Sequence, residues 1–477
     1  MTDLVQPQRS FYVDQEVAQR LLKCSDFLVL FIGTMVLFLG SSLLIPKDIA
    51  ATIGFLALEV AFGAMIMMRW LGLYSVKVLV SPARGIPSSL ATTFVLGAMV
   101  FASTHYFLFE LQPLWLSGWL GLCIAHFALT RTTAALWARP LAAAGAFNQR
   151  IAIVGGGKAA EEAIAALQTS RDIDIEIVGL FDDRFDKRSP ASIHTFRKLG
   201  TIADLSDYAR HNRVDLIIVA IPLSAEQRLL QLLKRLWELP VDIRISGYAS
   251  TLKLSPKAYT HLGKLPLLSV FDRPLNGWGS FLKTALDRVL AAILVVALSP
   301  LMVATAVAVR LESPGPVIFR QKRFGFNNEM IEIFKFRSMY AGHSDATAQR
   351  LVTRDDPRVT RVGRFIRKAS IDELPQLFNV LHGELSLVGP RPHATQAKAA
   401  ERLYEQVVEG YFARHRVKPG ITGWAQINGW RGETDTAEKL EKRVKYDLEY
   451  IDRWSLLFDL YILFKTPFAL IKGENAY

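Results

Sequence analysis

Asp372 and Glu373 stand side by side in Arg367-Lys-Ala-Ser-Ile-Asp-Glu-Leu-Pro-Gln-Leu-Phe-Asn-Val-Leu-His-Gly383. Arg367 and Lys368 precede them, and Val388-Gly-Pro-Arg-Pro392 follows, carrying Arg391. Pro375 suits the first turn of a helix, because the amide it lacks would go unpaired there anyway. Gly383 is a natural stop. The spacing therefore predicts a short helix with both carboxylates at its N-terminus, where free amides and the helix dipole favour negative charge. Such a place keeps carboxylates ionised at neutral pH and also favours phosphate. An ionised carboxylate beside a phosphate site can attack phosphorus or hold a divalent metal. A structural reading competes, because Ser370 and Glu373 have the spacing of a capping box.

Two basic blocks lie upstream. Ser313-Pro-Gly-Pro-Val-Ile-Phe-Arg-Gln-Lys-Arg-Phe-Gly325 joins a turn to a strand and a basic loop. Phe334-Lys-Phe-Arg-Ser-Met339 alternates apolar and basic residues, the pattern of a half-buried strand. Lys335, Arg337, Arg367 and Arg391 are candidates to face a nucleotide diphosphate, since arginine's planar fork suits phosphate oxygens. Arg391 lies between two prolines, so its stiff backbone presents the side chain at little entropic cost. The plainer alternative is a basic surface meeting anionic lipid. Downstream, residues 417–436 form a Gly- and Trp-rich stretch that includes Gln426, Asn428 and Arg431. Its mixture suits stacking and hydrogen bonding to a sugar or base, or simply a structural loop. Tyr446, Asp447 and Tyr450 follow on a helix, where packing is an equally good role.

Other elements must position these groups. Four apolar segments, roughly 26–45, 50–68, 90–109 and 114–137, are each near bilayer-spanning length. Arg9, Arg20 and Lys23 precede the first; Arg69, Lys77 and Arg84 separate the second and third; Arg139 and Arg150 follow the fourth. The other two connections carry only Lys47, Asp48 and Glu110. The positive-inside rule then puts both ends of this bundle in the cytoplasm. Residues 150–250 alternate strand and helix, predicting a parallel α/β sheet. Gly155, Gly157 and Ala160 approximate a dinucleotide turn, and Asp182-Asp183 ends the second strand. A lone turn of this kind is weak, and a structural or regulatory module fits as well.

Val289–Val309 is long enough for a fifth span. Basic residues flank both ends, however, and Ser299-Pro300 sits at its middle. Proline breaks a helical hydrogen bond and serine can satisfy the freed carbonyl. The expectation is a re-entrant helix, 281–310, that dips into the membrane and returns on one face. Trp454–Ile471, interrupted by Asp459, Lys465 and Pro467, reads as an interfacial helix.

From about Lys283 to Tyr477 these blocks, in this order, resemble the polyprenyl-phosphate hexose-1-phosphate transferases, the monotopic bacterial sugar transferases that start exopolysaccharide repeat units. The resemblance implies a bacterial inner-membrane enzyme with its catalytic domain on the cytoplasmic face. It implies transfer of glucose 1-phosphate from UDP-glucose to undecaprenyl phosphate, with UMP as the second product. Asp372 would be the nucleophile in a covalent two-step mechanism, and Glu373 would bind Mg²⁺. The Asn428-Gly-Trp-Arg-Gly-Glu433 form and the ending Glu474-Asn-Ala-Tyr477 look like the glucose branch. The same reaction with another UDP-hexose, such as UDP-galactose, is the alternative. The expected fold class is membrane α plus α/β: a four-helix transmembrane bundle (1–145), a Rossmann-like parallel α/β domain (146–270) and the catalytic domain (278–477).

Composition agrees with that frame. The chain is 51% hydrophobic with net charge +12, and its mean hydropathy is +0.22. The charge suits anionic lipid or anionic substrates. Nucleic acid is not an expected partner, since no zinc spacing or nucleic-acid motif is present. Two cysteines, Cys24 and Cys123, allow neither a disulfide framework nor a Cys-based metal site. A homodimer, through the bundle or the middle domain, is left open. Two other classes compete. One is a nucleotide-dependent oxidoreductase or epimerase built on the Gly155 turn, weakened by the lack of a following Tyr-x-x-x-Lys pair. The other is a non-enzymatic membrane scaffold or nucleotide sensor, against which the charged residues around Asp372 argue.

Overall fold

The structure is a computed structural model of the 477-residue chain. It describes residues 15–40, 47–107, 113–169, 175–184, 190–249, 260–275, 277–340, 356–393, 398–399, 402–408, 410–430 and 436–472. It divides into two compact units, Met1–Asn148 and Gln149–Tyr477.

The first unit is helical. Gln15–Gly40, Lys47–Trp70, Pro82–Phe107 and Pro113–Ala143 are its long helices. Leu30, Val60, Ala64, Met68, Trp119 and Phe127 form its core. Small residues let the helices approach. A Cβ on Gly97 would lie 2.6 Å from the Trp119 ring. Inside this core sits a buried charge network, in which Asp26 accepts from Arg131 at 2.7 Å and contacts His126 Nε2 at 2.9 Å. Outside it, Phe55, Phe94, Leu129 and Leu136 are well exposed.

The second unit begins with an eight-stranded sheet. In spatial order its strands are Ser192–Ile193, Phe196–Gly200, Ile175–Phe181, Gln149–Val154, Leu216–Val219, Asp242–Ser246, Leu265–Phe271 and Thr260–Leu262. The middle strands are parallel; the last two run antiparallel. The parallel strands are nearly continuous apolar runs because both faces are covered, each by its own apolar cluster. Helices Lys158–Thr169, Ile202–His211 and Glu226–Leu236 connect them. Thr201 and Asp204 form a reciprocal capping box at the second of these helices. The strands Phe196–Gly200 and Leu265–Phe271, each one in from an edge of the sheet, were not among the expected strands. The first is half exposed and the second contains Pro266, so neither is a clean apolar run.

The remainder is built on the helix Gly277–Glu312. Among the described residues it alone is long and apolar enough to cross a membrane by length and composition. Its helical structure carries through Pro300 without interruption. Ser299 Oγ donates to Val296 O at 2.8 Å, the carbonyl that Pro300 leaves without its amide partner. Lys283, Asp287 and Ala291 are buried toward one end, and Met302, Thr305 and Val309 toward the other. Between and around them Val289, Ile293, Val296 and Val303 are exposed. A hairpin follows, Ile318–Phe324 with Met330–Phe336. Then come the helix Arg361–Lys368, the 3₁₀ turn Ile371–Glu373 and the helix Gln376–His382. Ser386–Val388 pairs in parallel with Gly420–Thr422. Helices Ala437–Asp452 and Leu456–Lys472 complete the unit.

Candidate active site

Local sequence explains how the two carboxylates are presented. Thr360 caps the helix Arg361–Lys368, accepting from the Gly363 amide at 2.8 Å. Ser370 then takes a left-handed conformation, φ 57°, which reverses the chain into the 3₁₀ turn. Such a φ is uncommon outside glycine and marks a site worth attention. The next helix starts after Pro375 and stops at Gly383, φ 86°. The expected helix is thus present, but the carboxylates occupy the turn ahead of it. The capping box does not form. Ser370 makes no side-chain cap hydrogen bond, and the Glu373 carboxylate is turned to other partners.

Those partners are two of the expected cations. Lys335 Nζ donates to Glu373 Oε1 at 2.9 Å. Arg391 forks onto the same carboxylate, with one nitrogen 3.0 Å from Oε2 and the other bonded to Oε1. Lys335 arrives on the strand Met330–Phe336. Arg391 arrives just after Ser386–Val388, where two backbones touch. A Cβ on Gly420 would lie 2.1 Å from the Gly389 amide nitrogen, so only glycine allows that approach. Against the effect of burial, Arg391 and Lys335 hold Glu373 well below the usual carboxylate range. Burial pushes Asp372 the other way, to about 6. The neighbouring Glu373 charge adds to that, while Lys335, Arg367 and Arg391 oppose it. Arg367 is half-buried, and its charge acts on Asp372.

The other expected residues fare differently. Arg337 is a correction. It does not face the carboxylate site but is buried against the end of the long helix. Its guanidinium donates to Ser313 O at 2.7 Å, Ser313 Oγ at 2.9 Å, Pro314 O at 2.8 Å and Val309 O at 3.4 Å. The strand ends at Phe336, and the orphan carbonyls of the helix terminus claim the next donor. Gln426 and Asn428 are tied to their own loop. Gln426 Nε2 donates to Ile421 O at 3.3 Å, and Asn428 Nδ2 to Trp424 O at 2.8 Å. Neither is hydrogen-bonded to the carboxylate site. Gln426 Oε1 is buried without a partner. Arg431 lies outside the described residues.

The middle domain's turn is engaged within its own sheet. Gly155 has φ 112° and its amide donates to Phe181 O at 2.9 Å. Gly157 leads into the helix Lys158–Thr169. Asp182, the acid that goes with this possible nucleotide turn, is buried and engaged. It accepts from the Gly156 amide at 3.0 Å, Arg184 at 3.0 Å and Arg228 at 2.7 Å. Its hydrogen-bonding capacity is spent within the fold.

Sequence reasoning missed a buried basic and aromatic group next to the site. Arg414 pairs with Asp447 at 2.6 Å and donates to Arg391 O at 2.8 Å. It also contacts His393 and, at 3.2 Å, Tyr411 Oη. Burial, then the Arg414 charge, pushes His393 well below the usual imidazole range, so it is neutral. Arg323 donates to Pro392 O at 3.2 Å. The nearest sequence signal was Asp447, noted only as a helix residue. Among the described residues no cluster of three or more His, Cys, Asp or Glu could cage a metal.

Two family models match the chain. Residues 278–473 match the bacterial sugar transferase model, and residues 69–247 match a CoA-binding domain model. An undecaprenyl-phosphate glucose phosphotransferase of Komagataeibacter xylinus is 42% identical over 330 residues, covering 69% of this chain and 60% of that protein. A UDP-glucose:undecaprenyl-phosphate glucose-1-phosphate transferase of Escherichia coli (strain K12) is 37% identical over 390 residues, covering 82% of this chain and 81% of that protein. A UDP-N-acetylgalactosamine-undecaprenyl-phosphate N-acetylgalactosaminephosphotransferase of Aeromonas hydrophila is 42% identical over 217 residues, 45% of this chain and 49% of its own.

Proposed function

The chain belongs to the bacterial sugar transferase family, and on that premise we propose that it transfers glucose 1-phosphate from UDP-glucose to undecaprenyl phosphate. The products are undecaprenyl-diphosphate-glucose and UMP. The observation that carries this reading is the Asp372–Glu373 pair, with Lys335 and Arg391 clamped on Glu373 and Asp372 left with a raised pKa. Asp372 attacks the phosphorus bearing the sugar, the bond to the UMP oxygen breaks, and an aspartyl-phosphosugar forms. The lipid phosphate then attacks that phosphorus and Asp372 leaves. Lys335, Arg391 and Arg367 offset the charge of the diphosphate. The sugar's anomeric carbon is untouched, so its configuration is retained.

Mg²⁺ commonly takes one or two carboxylates and completes its shell with substrate phosphates and water. Adjacent Asp372 and Glu373 fit that donor set: Oε1 of Glu373 already takes two donors, but Oε2 takes one and keeps acceptor capacity. Bound there, the ion would neutralise diphosphate charge.

The architecture is read in the same way. Residues 1–145 form a four-helix transmembrane bundle with cytoplasmic ends, residues 146–270 a Rossmann-like module, and residues 278–477 the catalytic domain. The outward apolar residues of the first unit support its membrane setting. The helix Gly277–Glu312 is re-entrant. Supporting this, Asp287 accepts from Ser386 Oγ at 2.7 Å while Arg337 holds the helix's other end, so both ends are tied to the catalytic domain. The apolar middle is free for lipid. Leu456–Lys472 buries Asp459 and Ile462 and exposes Leu457, Phe464 and Phe468, which suits a helix lying at the headgroup boundary. Asp372 then works on the cytoplasmic face of the inner membrane, where soluble donor meets lipid acceptor.

The test is UMP formation by purified protein in a membrane mimic with UDP-glucose, Mg²⁺ and undecaprenyl phosphate. Lipid-dependent release, lost in Asp372→Asn, is expected. Release only with another UDP-hexose would change the sugar, a real distinction given the Aeromonas relative's name. No release with any UDP-sugar from folded protein would overturn the reaction.

A further inference from the structure

Four guanidiniums, those of Arg323, Arg391, Arg414 and Arg443, gather beside the carboxylate pair. Among the described residues three carboxylates stand with them, Asp372, Glu373 and Asp447, and two of these make short ion pairs with the arginines. Glu373 takes Arg391 and Asp447 takes Arg414. Arg443 is left over. It is 3% exposed and sits one helical turn before Asp447 on Ala437–Asp452. Among the described residues it makes no ion pair, and its Nε is buried without a hydrogen-bond partner. Arg323 Nε is in the same condition. Burial, then the Arg414 charge, pushes Arg443 down to about 10; Asp447 opposes this at longer range without forming an ion pair, and Arg391 adds to the repulsion. His393 is neutral and contributes no charge. A buried charge without a partner is among the costliest groups a fold can hold. A dianionic phosphate, such as that of UMP or of a nucleoside diphosphate ester, would supply counter-charge to this excess of cations.

The cations also have an order. Arg323 pairs across the hairpin with Ile331, four residues from Lys335, so both side chains lie on one face. Lys335 is near the hairpin's base, which Arg337 ties to the long apolar helix. Arg323 is near the tip, where Asn327 Nδ2 donates to Ala209 O of the α/β domain at 3.3 Å. The Arg323 end therefore lies away from the apolar helix, on the side a soluble donor reaches.

Resting on the transfer reaction proposed above, we infer that Arg443, with Arg391 and Arg323, forms the subsite for the nucleotide-side phosphate of the sugar-nucleotide donor, the phosphate that departs in UMP. Lys335 and Asp372 then serve the phosphate that carries the sugar. The lipid phosphate does not use Arg443.

The experiment measures UMP binding by calorimetry to the full chain in nanodiscs without acceptor, and the Michaelis constants for both substrates, in wild type, Arg443→Gln and Arg443→Lys. Losing a charged hydrogen-bonding group should weaken UMP binding about tenfold or more. The Michaelis constant for UDP-glucose should rise in parallel, and that for undecaprenyl phosphate should stay within about twofold. Arg443→Lys keeps the charge without the fork and should fall between; it carries the test if Arg443→Gln does not fold. Unchanged UMP affinity in a folded variant overturns the subsite. A rise confined to the lipid's Michaelis constant also overturns it and gives Arg443 to the acceptor. Wild type that binds UMP through Arg443 yet releases none from any UDP-sugar would sink the transfer reaction while leaving the subsite standing.

Discussion

Replacing Lys335 by methionine should move the acid limb of the reaction to higher pH. On the proposed mechanism Asp372 must be ionised to attack, and it sits at about 6, first because of burial. Lys335 is the strongest of the charges that hold it down; Glu373 pushes it up. An opposite charge within about 4–6 Å lowers a carboxyl by roughly 1–3 pH units. Arg367 and Arg391 remain in the variant, so the low end applies, roughly one to one and a half units. At pH 7 the ionised fraction of Asp372 would fall from about nine-tenths to about one-third, and at pH 6 from about one-half to about one-twentieth. The loss should therefore grow to roughly tenfold at pH 6 and shrink toward pH 9.

The assay is kcat/KM for lipid-dependent UMP release between pH 5 and 9. Whatever loss persists at pH 9 reports phosphate binding by Lys335, so the two roles separate within one experiment. Glu373→Gln is the control of opposite sign. It removes the neighbouring negative charge and should shift the limb to lower pH. Limbs that stay in place, or that move in the reverse directions, would refute the assignment of Asp372 as the ionising nucleophile.

Three other outcomes are expected. Asp372→Asn should be inactive yet melt higher than wild type at pH 8. The native pKa lies above the unfolded value of 3.8, so ionisation is paid on folding as pH rises from about 4 through 6, a cost of at most about 3 kcal/mol; the advantage should vanish below about pH 4. Arg337→Met should destabilise by roughly 2–4 kcal/mol, read by thermal melting, because it strips donors from Val309, Ser313 and Pro314, while the Michaelis constant of folded protein for UDP-glucose is unchanged. Pro300→Leu should convert the dip to a span or destabilise the protein, and reporter tags showing unchanged topology with full activity would count against re-entry.

Much of the site is legible because its parts are short strings with their own chemistry. Asp372-Glu373 before Leu-Pro, and Arg391 between prolines, declare themselves, and Lys335 follows from an alternating strand. The same alternation misplaced Arg337. Strand period says that Lys335 and Arg337 share a face, but the strand stops at Phe336 and the helix carbonyls at Val309 and Ser313 take the second side chain. Asp182 misleads for a related reason. The turn and the acid approximate a dinucleotide fingerprint, while Arg184 and Arg228, which occupy the acid, belong to no pattern. Arg443 was invisible, since the like charges around it, those of Arg414, Arg391 and Arg323, lie on distant segments and only the tertiary fold brings them together.

The division of labour within Asp372-Glu373 is also a tertiary property. As a string the two acids are interchangeable, and either could attack while the other holds charge. The fold separates them by giving all the short contacts to one. Glu373 receives Lys335 and both arms of Arg391, which fixes its position and depresses its basicity. A carboxylate so engaged is a poor nucleophile but a rigid anchor for the two cations that must meet the diphosphate. Asp372 accepts no hydrogen bond among the described residues and is raised by burial, so it is the more basic oxygen and the less encumbered one. The same clamp that disqualifies Glu373 supplies the negative charge that helps raise Asp372. On the proposed mechanism, nucleophile and anchor are thus set by one choice, namely which carboxylate the Arg391 fork reaches.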